Sequence, residues 1–312
     1  MKTCYLFPGQ GAQHPGMAKD LYESSNSVKE LFEIASETAK MDTKRLLFEA
    51  TEDELKETDK TQVAVTLANL SAAMVLTERG FLASGCAGFS LGEYAALCHA
   101  GIIPVADIFP LVKARGEFME QASRAADTAA GKAGMTAIIG LSYDAAFAAL
   151  GAAARADVYI ANHTSPVQVV LAGTQEGLAA GGEALKAAGA KRVIPLKVSG
   201  PFHTPLLKSA QEKLSVYLQN ISFGKPSITV YSNVTGKAIA DEVEAKKLCV
   251  AQVTSPVLWV KEEAAILADN YGRYVEAGPG TVLKGLWKAF TEKVPCVGAG
   301  KLEDINQISG GN

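Results

Sequence analysis

The sequence has almost no excess of charge of either sign. Its 312 residues carry 30 Lys and Arg against 33 Asp and Glu, a formal net charge of −3. Without a basic surplus to neutralise phosphates, composition excludes an obvious nucleic-acid partner. Long hydrophobic runs are also missing, because Gly, Ser, Thr or charge breaks each one short of the roughly 18 residues a membrane helix needs. The opening stretch, residues 1–9, is too short in apolar residues for a signal peptide, so a cytoplasmic protein without membrane association is expected. Cysteine is sparse. Cys4, Cys86, Cys98, Cys249 and Cys296 form no CxxC pair, which excludes a disulfide framework and predicts reduced, buried thiols. No His, Cys and carboxylate cluster has metal-ligand spacing, and no P-loop or GxGxxG is present, so neither a metal nor a bound cofactor is expected. There is no internal repeat, and the Ser309-Gly310-Gly311-Asn312 end is expected to fray.

What is present is ordinary globular material, with 48% apolar and 20% charged residues. That excludes disorder and leaves room for one large domain or two smaller ones. Short apolar runs alternate with amphipathic ones, the pattern of an α/β protein with a largely parallel sheet. Residues 4–7 predict a first strand stopped by Pro8-Gly9. Residues 27–39 and 61–79 predict helices, 82–89 a central strand, and 91–100 a helix ended by Gly101. From 126 to 198 the texture changes. Strand 135–141, helix 144–155, strands 157–161 and 167–172 around the turn Asn162-His163-Thr164-Ser165-Pro166, helix 175–189 and strand 192–198 follow in order. This β-α-β-β-α-β order is ferredoxin-like and predicts a small inserted subdomain. Residues 199–312 then rejoin 1–125.

Gly88-Phe89-Ser90-Leu91-Gly92 is a GxSxG pattern placed between a predicted strand and a predicted helix. A serine there sits on a tight corner at the positive end of a helix, and the Leu91 N–H can face an oxyanion. The plain alternative is a capping serine. Of the four histidines, His99 lies inside the helix, His14 in the opening loop and His163 in an exposed turn. His203 lies in Ser199-Gly200-Pro201-Phe202-His203-Thr204-Pro205-Leu206, a rigid loop at the carboxyl side of a strand, with Thr204 fitting an N-cap and Pro205 the first helical position. Position makes His203 the candidate base.

In the helix predicted over 106–124, Arg115 falls on the apolar stripe, four residues from both Leu111 and Met119. An inward guanidinium needs either a structural ion pair or a substrate carboxylate. The loop Phe7-Pro8-Gly9-Gln10-Gly11 can offer a second oxyanion N–H. Lys186, Lys191, Arg192, Lys197, Lys208 and Lys213 are read as a solvated face.

Together, Pro8-Gly9-Gln10-Gly11, Gly88-Phe89-Ser90-Leu91-Gly92-Glu93-Tyr94, Arg115-Gly116, Ser199-Gly200-Pro201-Phe202-His203 and Glu276-Ala277-Gly278-Pro279-Gly280 resemble the malonyl-CoA:acyl-carrier-protein transacylases of bacterial type II fatty acid synthesis. The motifs keep the family's order from residue 5 to about residue 290. The resemblance implies an α/β-hydrolase-like domain (1–125 and 199–312) with a ferredoxin-like subdomain (126–198). It implies Ser90 as nucleophile, His203 as base, backbone N–H groups of Gln10 and Leu91 as oxyanion hole, and Arg115 as malonate clamp. It further implies that the backbone carbonyl of Gln252, rather than a carboxylate, orients the base. Two positions depart from the family pattern. Phe89 stands where many members carry His, and Thr164 replaces the second Asn of an Asn-x-Asn-Ser-Pro turn. Phe202 resembles malonyl-selective members, where methylmalonyl-selective relatives usually have a small residue.

The implied reaction is ping-pong transfer from malonyl-CoA to acyl carrier protein by a monomer that needs no cofactor. A malonyl (thio)ester hydrolase, a trans-acting acyltransferase of a polyketide pathway and a non-catalytic carrier-binding scaffold are the competing readings.

Overall fold

The computed structural model describes residues 1–309; Gly310 to Asn312, where fraying is expected, lie outside the described residues. Five strands form one wholly parallel sheet: β1 (Thr3–Phe7), β2 (Ala83–Gly88), β7 (Thr229–Val230), β8 (Arg273–Glu276) and β9 (Cys296–Gly298), in the order β7-β2-β1-β8-β9. Four more form an antiparallel sheet: β3 (Gly134–Ile139), β4 (Val158–Ser165), β5 (Gln168–Gly173) and β6 (Arg192–Pro195), in the order β4-β5-β3-β6.

β1 is buried along its whole length because both faces of the parallel sheet are covered. The two-residue alternation of a strand sends Tyr5 and Phe7 into the main apolar core, and Cys4 and Leu6 into a second core with Trp259 and Trp287. The helix Thr58–Glu78 spreads its apolar and small residues around all its faces and is buried along most of its length. All five cysteines are free and buried. Among the described residues, no helix is long and apolar enough to cross a membrane.

The antiparallel sheet has a core of its own. Ile138, Ile160, Val169 and Leu171 pack with Leu141, Ala146 and Leu185 under the helices Tyr143–Ala153 and Gln175–Ala187. Its opposite face turns Met135, Ala137, Asn162, Thr164 and Val170 toward the parallel-sheet region, and the two sheets enclose a cleft between them.

Three local expectations are corrected. β4 runs on through Asn162 to Ser165, so His163 is half-buried in a strand, with its ring 4.9 Å from that of Tyr143, and not in an exposed turn. The cause is a partner that local pattern cannot show: β4 extends because His163 N–H donates to Val257 O (2.9 Å) and Val257 N–H to Ala161 O (2.9 Å). β6 ends at Pro195 as a largely exposed edge strand, short of residue 198; Leu196 N–H still donates to Met135 O (2.9 Å), and past it the partner strand β3, which begins at Gly134, has run out. Thr204 does not cap with its side chain. Its hydroxyl turns back to donate to Pro201 O (2.7 Å), and Pro205 opens a short 3-10 turn, Pro205–Leu207, ahead of the helix Lys208–Tyr217.

Candidate active site

The carboxyl ends of β1 and β2 lie side by side, so the loop after β1 and the corner after β2 open on the same cleft. The corner is extremely tight. A Cβ on Gly88 would sit 2.0 Å from the Gly92 carbonyl carbon, and one on Gly92 would sit 1.9 Å from Phe7 O, so both positions require glycine. Between them Ser90 adopts φ 52°, ψ −107°, a conformation that costs a non-glycine residue about 1–3 kcal/mol. Its side chain makes no capping bond to the following helix, Leu91–His99, against the plain capping alternative. Instead Ser90 Oγ lies 2.7 Å from His203 Nε2.

His203 is buried and has φ 62°. Its Nδ1 lies 2.9 Å from Gln252 O. A carbonyl can only accept, so the Nδ1 hydrogen is fixed there and Nε2 is left to accept from Ser90 O–H. Burial, helped by the nearby Arg115 charge, pushes the His203 pKa down to about 4. The imidazole is therefore neutral near pH 7 and free to accept a proton at Nε2.

Arg115 is 1% exposed, on the helix Val105–Ala125. Its two terminal nitrogens donate to side-chain oxygens of Gln62 (2.8 Å) and Gln252 (3.0 Å), and its guanidinium lies 4.8 Å from the centre of the Tyr94 ring. Its Nε is buried without a partner among the described residues, and no carboxylate there lies within ion-pair distance of the side chain. The structural ion pair is therefore absent, and a buried cation lies in the cleft wall with only neutral partners.

Gln10 and Leu91 both line the cleft, and neither backbone N–H has an acceptor among the described residues. The loop carrying Gln10 is held by Asn69, which donates to Pro8 O (2.9 Å), and by Phe89 N–H on Phe7 O (3.0 Å). The cleft encloses about 280 Å³. Ser90, His203, Arg115, Gln10 and Leu91 stand on one side, with the apolar face of the antiparallel sheet opposite. Phe89 packs edge-to-face on Trp259 at 5.5 Å. Thr164 donates to Gln168 O (3.2 Å).

The other histidines stay apart. His99 packs against Tyr5 and Phe7 at 5.2 and 5.8 Å, where burial lowers its pKa to about 4. His14 is exposed. The basic residues 186, 191, 192, 197, 208 and 213 are all exposed.

Sequence reasoning missed several buried polar groups behind the site. Gln62 holds Arg115; Asn233 accepts the Ser90 N–H (2.7 Å); Glu93 and Glu262 lie behind Asn233. One signal was available. Gln62 and Asn69 are the two amides of the helix Thr58–Glu78 and stand seven residues apart on one face, among the apolar and small residues of its middle, which marks them as buried polar groups with partners. For Asn233, in a loop, no such periodicity exists.

A serine on a strand-to-helix corner, bonded to a neutral histidine at the mouth of a parallel sheet, is an arrangement suited to acyl-transfer chemistry in an α/β enzyme. The acyl transferase domain family matches residues 4–303. The malonyl CoA-acyl carrier protein transacylase of Escherichia coli strain K12 is 39% identical over 290 residues, covering 92% of each chain. That of Bacillus subtilis strain 168 is 35% identical over 306 residues, 97% of this chain and 95% of the other. Among solved structures, an acyl carrier protein S-malonyltransferase from Vibrio cholerae superposes with a TM-score of 0.93 at 36% identity, over 99% of this chain and 100% of that one. A malonyl-transacylase in complex with its type II PKS acyl-carrier protein superposes with a TM-score of 0.93 at 35% identity, over 100% of both chains. The chain belongs to the malonyl CoA-acyl carrier protein transacylases of the acyl transferase domain family.

Proposed function

We propose that the protein transfers the malonyl group of malonyl-CoA to the phosphopantetheine thiol of acyl carrier protein through a malonyl-Ser90 ester, for fatty acid biosynthesis. The observation that carries this is the buried Arg115, without a carboxylate partner, in the same cleft as the Ser90–His203 pair. A guanidinium so placed favours an acyl group with its own carboxylate. Gln62 and Gln252 fix its plane, and its remaining N–H groups are the malonate donors.

In the first half-reaction His203 Nε2 takes the Ser90 proton as Oγ bonds to the thioester carbonyl carbon. The oxyanion is held by the Gln10 and Leu91 N–H groups. The C–S bond breaks, and the CoA thiolate leaves with the proton from His203. In the second, His203 takes the carrier thiol proton, sulfur attacks the ester carbonyl, and Ser90 leaves with that proton. The Gln252 carbonyl keeps the imidazole in its tautomer throughout. Exchange of one acyl ester for another moves no electrons between oxidation states, so the steps as written call on no cofactor.

Residues 126–198 are read as a ferredoxin-like subdomain set into an α/β-hydrolase-like domain built from 1–125 and 199–312. The strand order β4-β5-β3-β6 and the separate apolar core of that segment support this division.

Incubation with malonyl-CoA alone, followed by intact-protein mass spectrometry, tests the reading. One malonyl group is expected on the protein, absent in Ser90→Ala and discharged by acyl carrier protein. Accumulation of malonate and CoA without an adduct would replace it by a hydrolase.

A further inference from the structure

Ser90 is held in a conformation that its own sequence neighbours do not favour, and the groups that hold it converge on Asn233. This side chain is wholly buried. Its Oδ1 accepts the Ser90 N–H at 2.7 Å, while its Nδ2 donates to Gly88 O at 2.7 Å. The amide therefore grips the chain on both sides of Phe89 and closes the corner into a ring. The same Nδ2 donates to Glu262 Oε1 at 2.7 Å, and Oδ1 also accepts from Gln252 Nε2 at 3.3 Å. Its backbone is tied equally: the Asn233 N–H donates to Glu93 Oε2 (3.3 Å), and its carbonyl accepts from Leu258 N–H (2.8 Å). Every polar atom of Asn233 is engaged, so its position is over-determined.

A Ser90 N–H turned inward to Asn233 leaves the next N–H, that of Leu91, facing the cleft without an acceptor among the described residues. Gln252 Nε2 takes the Ser90 carbonyl from the same side at 3.0 Å. We infer that Asn233 is a positioning residue for the reaction: it clamps the Ser90 corner so that Oγ meets His203 and the Leu91 N–H points at the oxyanion. This rests on the malonyl-Ser90 reading above and extends it to a residue that touches no substrate. Only an amide can accept at Ser90 and donate to Gly88 and Glu262 at once. Glu262 gives the same Nδ2 a further fixed acceptor and so adds to the hold on the amide.

Asn233→Asp is nearly isosteric and keeps the acceptor for Ser90 N–H, but it places an oxygen against Gly88 O and Glu262. The test measures Ser90 acylation by malonyl-CoA in single turnovers and steady-state transfer to acyl carrier protein. In Asn233→Asp the acylation rate and kcat are expected to fall at least tenfold with KM for malonyl-CoA within twofold of the parent. Asn233→Asp/Glu262→Gln, which returns a donor opposite the new oxygen, is expected to recover at least threefold. If Asn233→Asp does not fold, Glu262→Ala is measured instead; it leaves the Ser90 and Gly88 bonds in place but removes the buried carboxyl that braces the amide from behind, and kcat is expected to fall at least threefold at unchanged KM. A folded Asn233→Asp, or in its place Glu262→Ala, with kcat within twofold of the parent overturns the inference, as does a loss confined to KM. Failure of the parent protein itself to form the malonyl adduct overturns instead the reading on which the inference rests.

Discussion

On the antiparallel-sheet side of the cleft, the helices Tyr143–Ala153 and Gln175–Ala187 begin at Ser142 and Thr174. Their hydroxyls accept the N–H groups of Ala145 (3.3 Å) and Gly177 (3.0 Å). On the parallel-sheet side, the helix Leu91–His99 also begins at a serine, but Ser90 leaves its helix end uncapped and bonds His203 instead. The first two residues lie in extended backbone, with φ −70° and −63°, and the third at φ 52°. A capped helix start uses its hydroxyl to satisfy an orphan donor and is the more stable arrangement by about 1 kcal/mol. The uncapped start forgoes that and adds about 1–3 kcal/mol of backbone strain. In return, a hydroxyl and an N–H are left facing the same space. One side of the cleft is thus arranged for stability and the other for chemistry, and the cost is offset by the buried polar contacts behind Ser90.

The sharpest break of this contrast is Ser90→Ala. It relieves nothing in the corner's backbone but removes the proposed acyl acceptor, so transfer is expected to fall by about 10⁴-fold or more. The melting temperature should stay within a few degrees of the parent. Single-turnover assays with intact mass detection and a thermal melt check both halves. A large loss of stability would show that the Ser90 hydroxyl holds the corner together after all.

Arg115→Ala comes next. It deletes a buried cation whose two glutamine partners then lose their donor. Loss of one charge-assisted contact to a carboxylate predicts a fall of about 10²-fold in kcat/KM for malonyl-CoA. The preference for malonyl over acetyl should collapse with it. Competition between malonyl-CoA and acetyl-CoA measures this; retention of the parent's preference would remove Arg115 from substrate recognition.

The pH response separates two buried groups on the catalytic side by sign. His203 drops from the ordinary 6.5 to about 4 through burial, so its contribution to stability is full above pH 6.5 and is lost as pH falls toward 4. With His203 as the proposed base, acylation should stay flat from pH 8 to about 5 and decline below that. Glu93 moves the other way, from 4.5 to about 7, again through burial. Its contribution is full below pH 4.5 and is lost as pH rises through 7. Thermal melts of the parent and Glu93→Gln across pH 5 to 8 check this, and the Gln variant should lose less stability as pH rises through 7. An acylation profile that breaks near pH 6.5 would mean an imidazole more open to solvent than this cleft allows.

The same contrast explains what could be read from the sequence. Ser90, His203 and Arg115 stood out because each breaks a local rule: a serine between glycines at a strand end, a histidine between prolines, a cation on an apolar stripe. The five-motif resemblance supplied Gln252, whose carbonyl has no side-chain signature. Strands and helices were placed to within a few residues where periodicity was strong. The misplaced pieces, the ends of β4 and β6 and the hydroxyl of Thr204, depend on partners elsewhere in the chain or on turn geometry. Asn233, in a loop, and Glu262, in the first turn of the helix Trp259–Ala268, stayed hidden because a lone buried polar residue looks like an exposed one until its neighbours are known.

Ser142→Ala tests the opposite side at the smallest scale. It removes a single exposed cap on the helix Tyr143–Ala153, about 1 kcal/mol of local stability, and touches nothing that lines the cleft. Hydrogen exchange in the first turn of that helix should rise, the melting temperature should fall by a few degrees at most, and malonyl transfer should be unchanged. Because the face of β3, β4 and β5 toward the cleft is held by strand pairing rather than by that cap, fraying of one helix start should not reach Met135 or Val170. A measurable loss of transfer in Ser142→Ala would show that the helices behind the antiparallel sheet set the cleft's shape, and that the division between a stability side and a chemistry side is drawn in the wrong place.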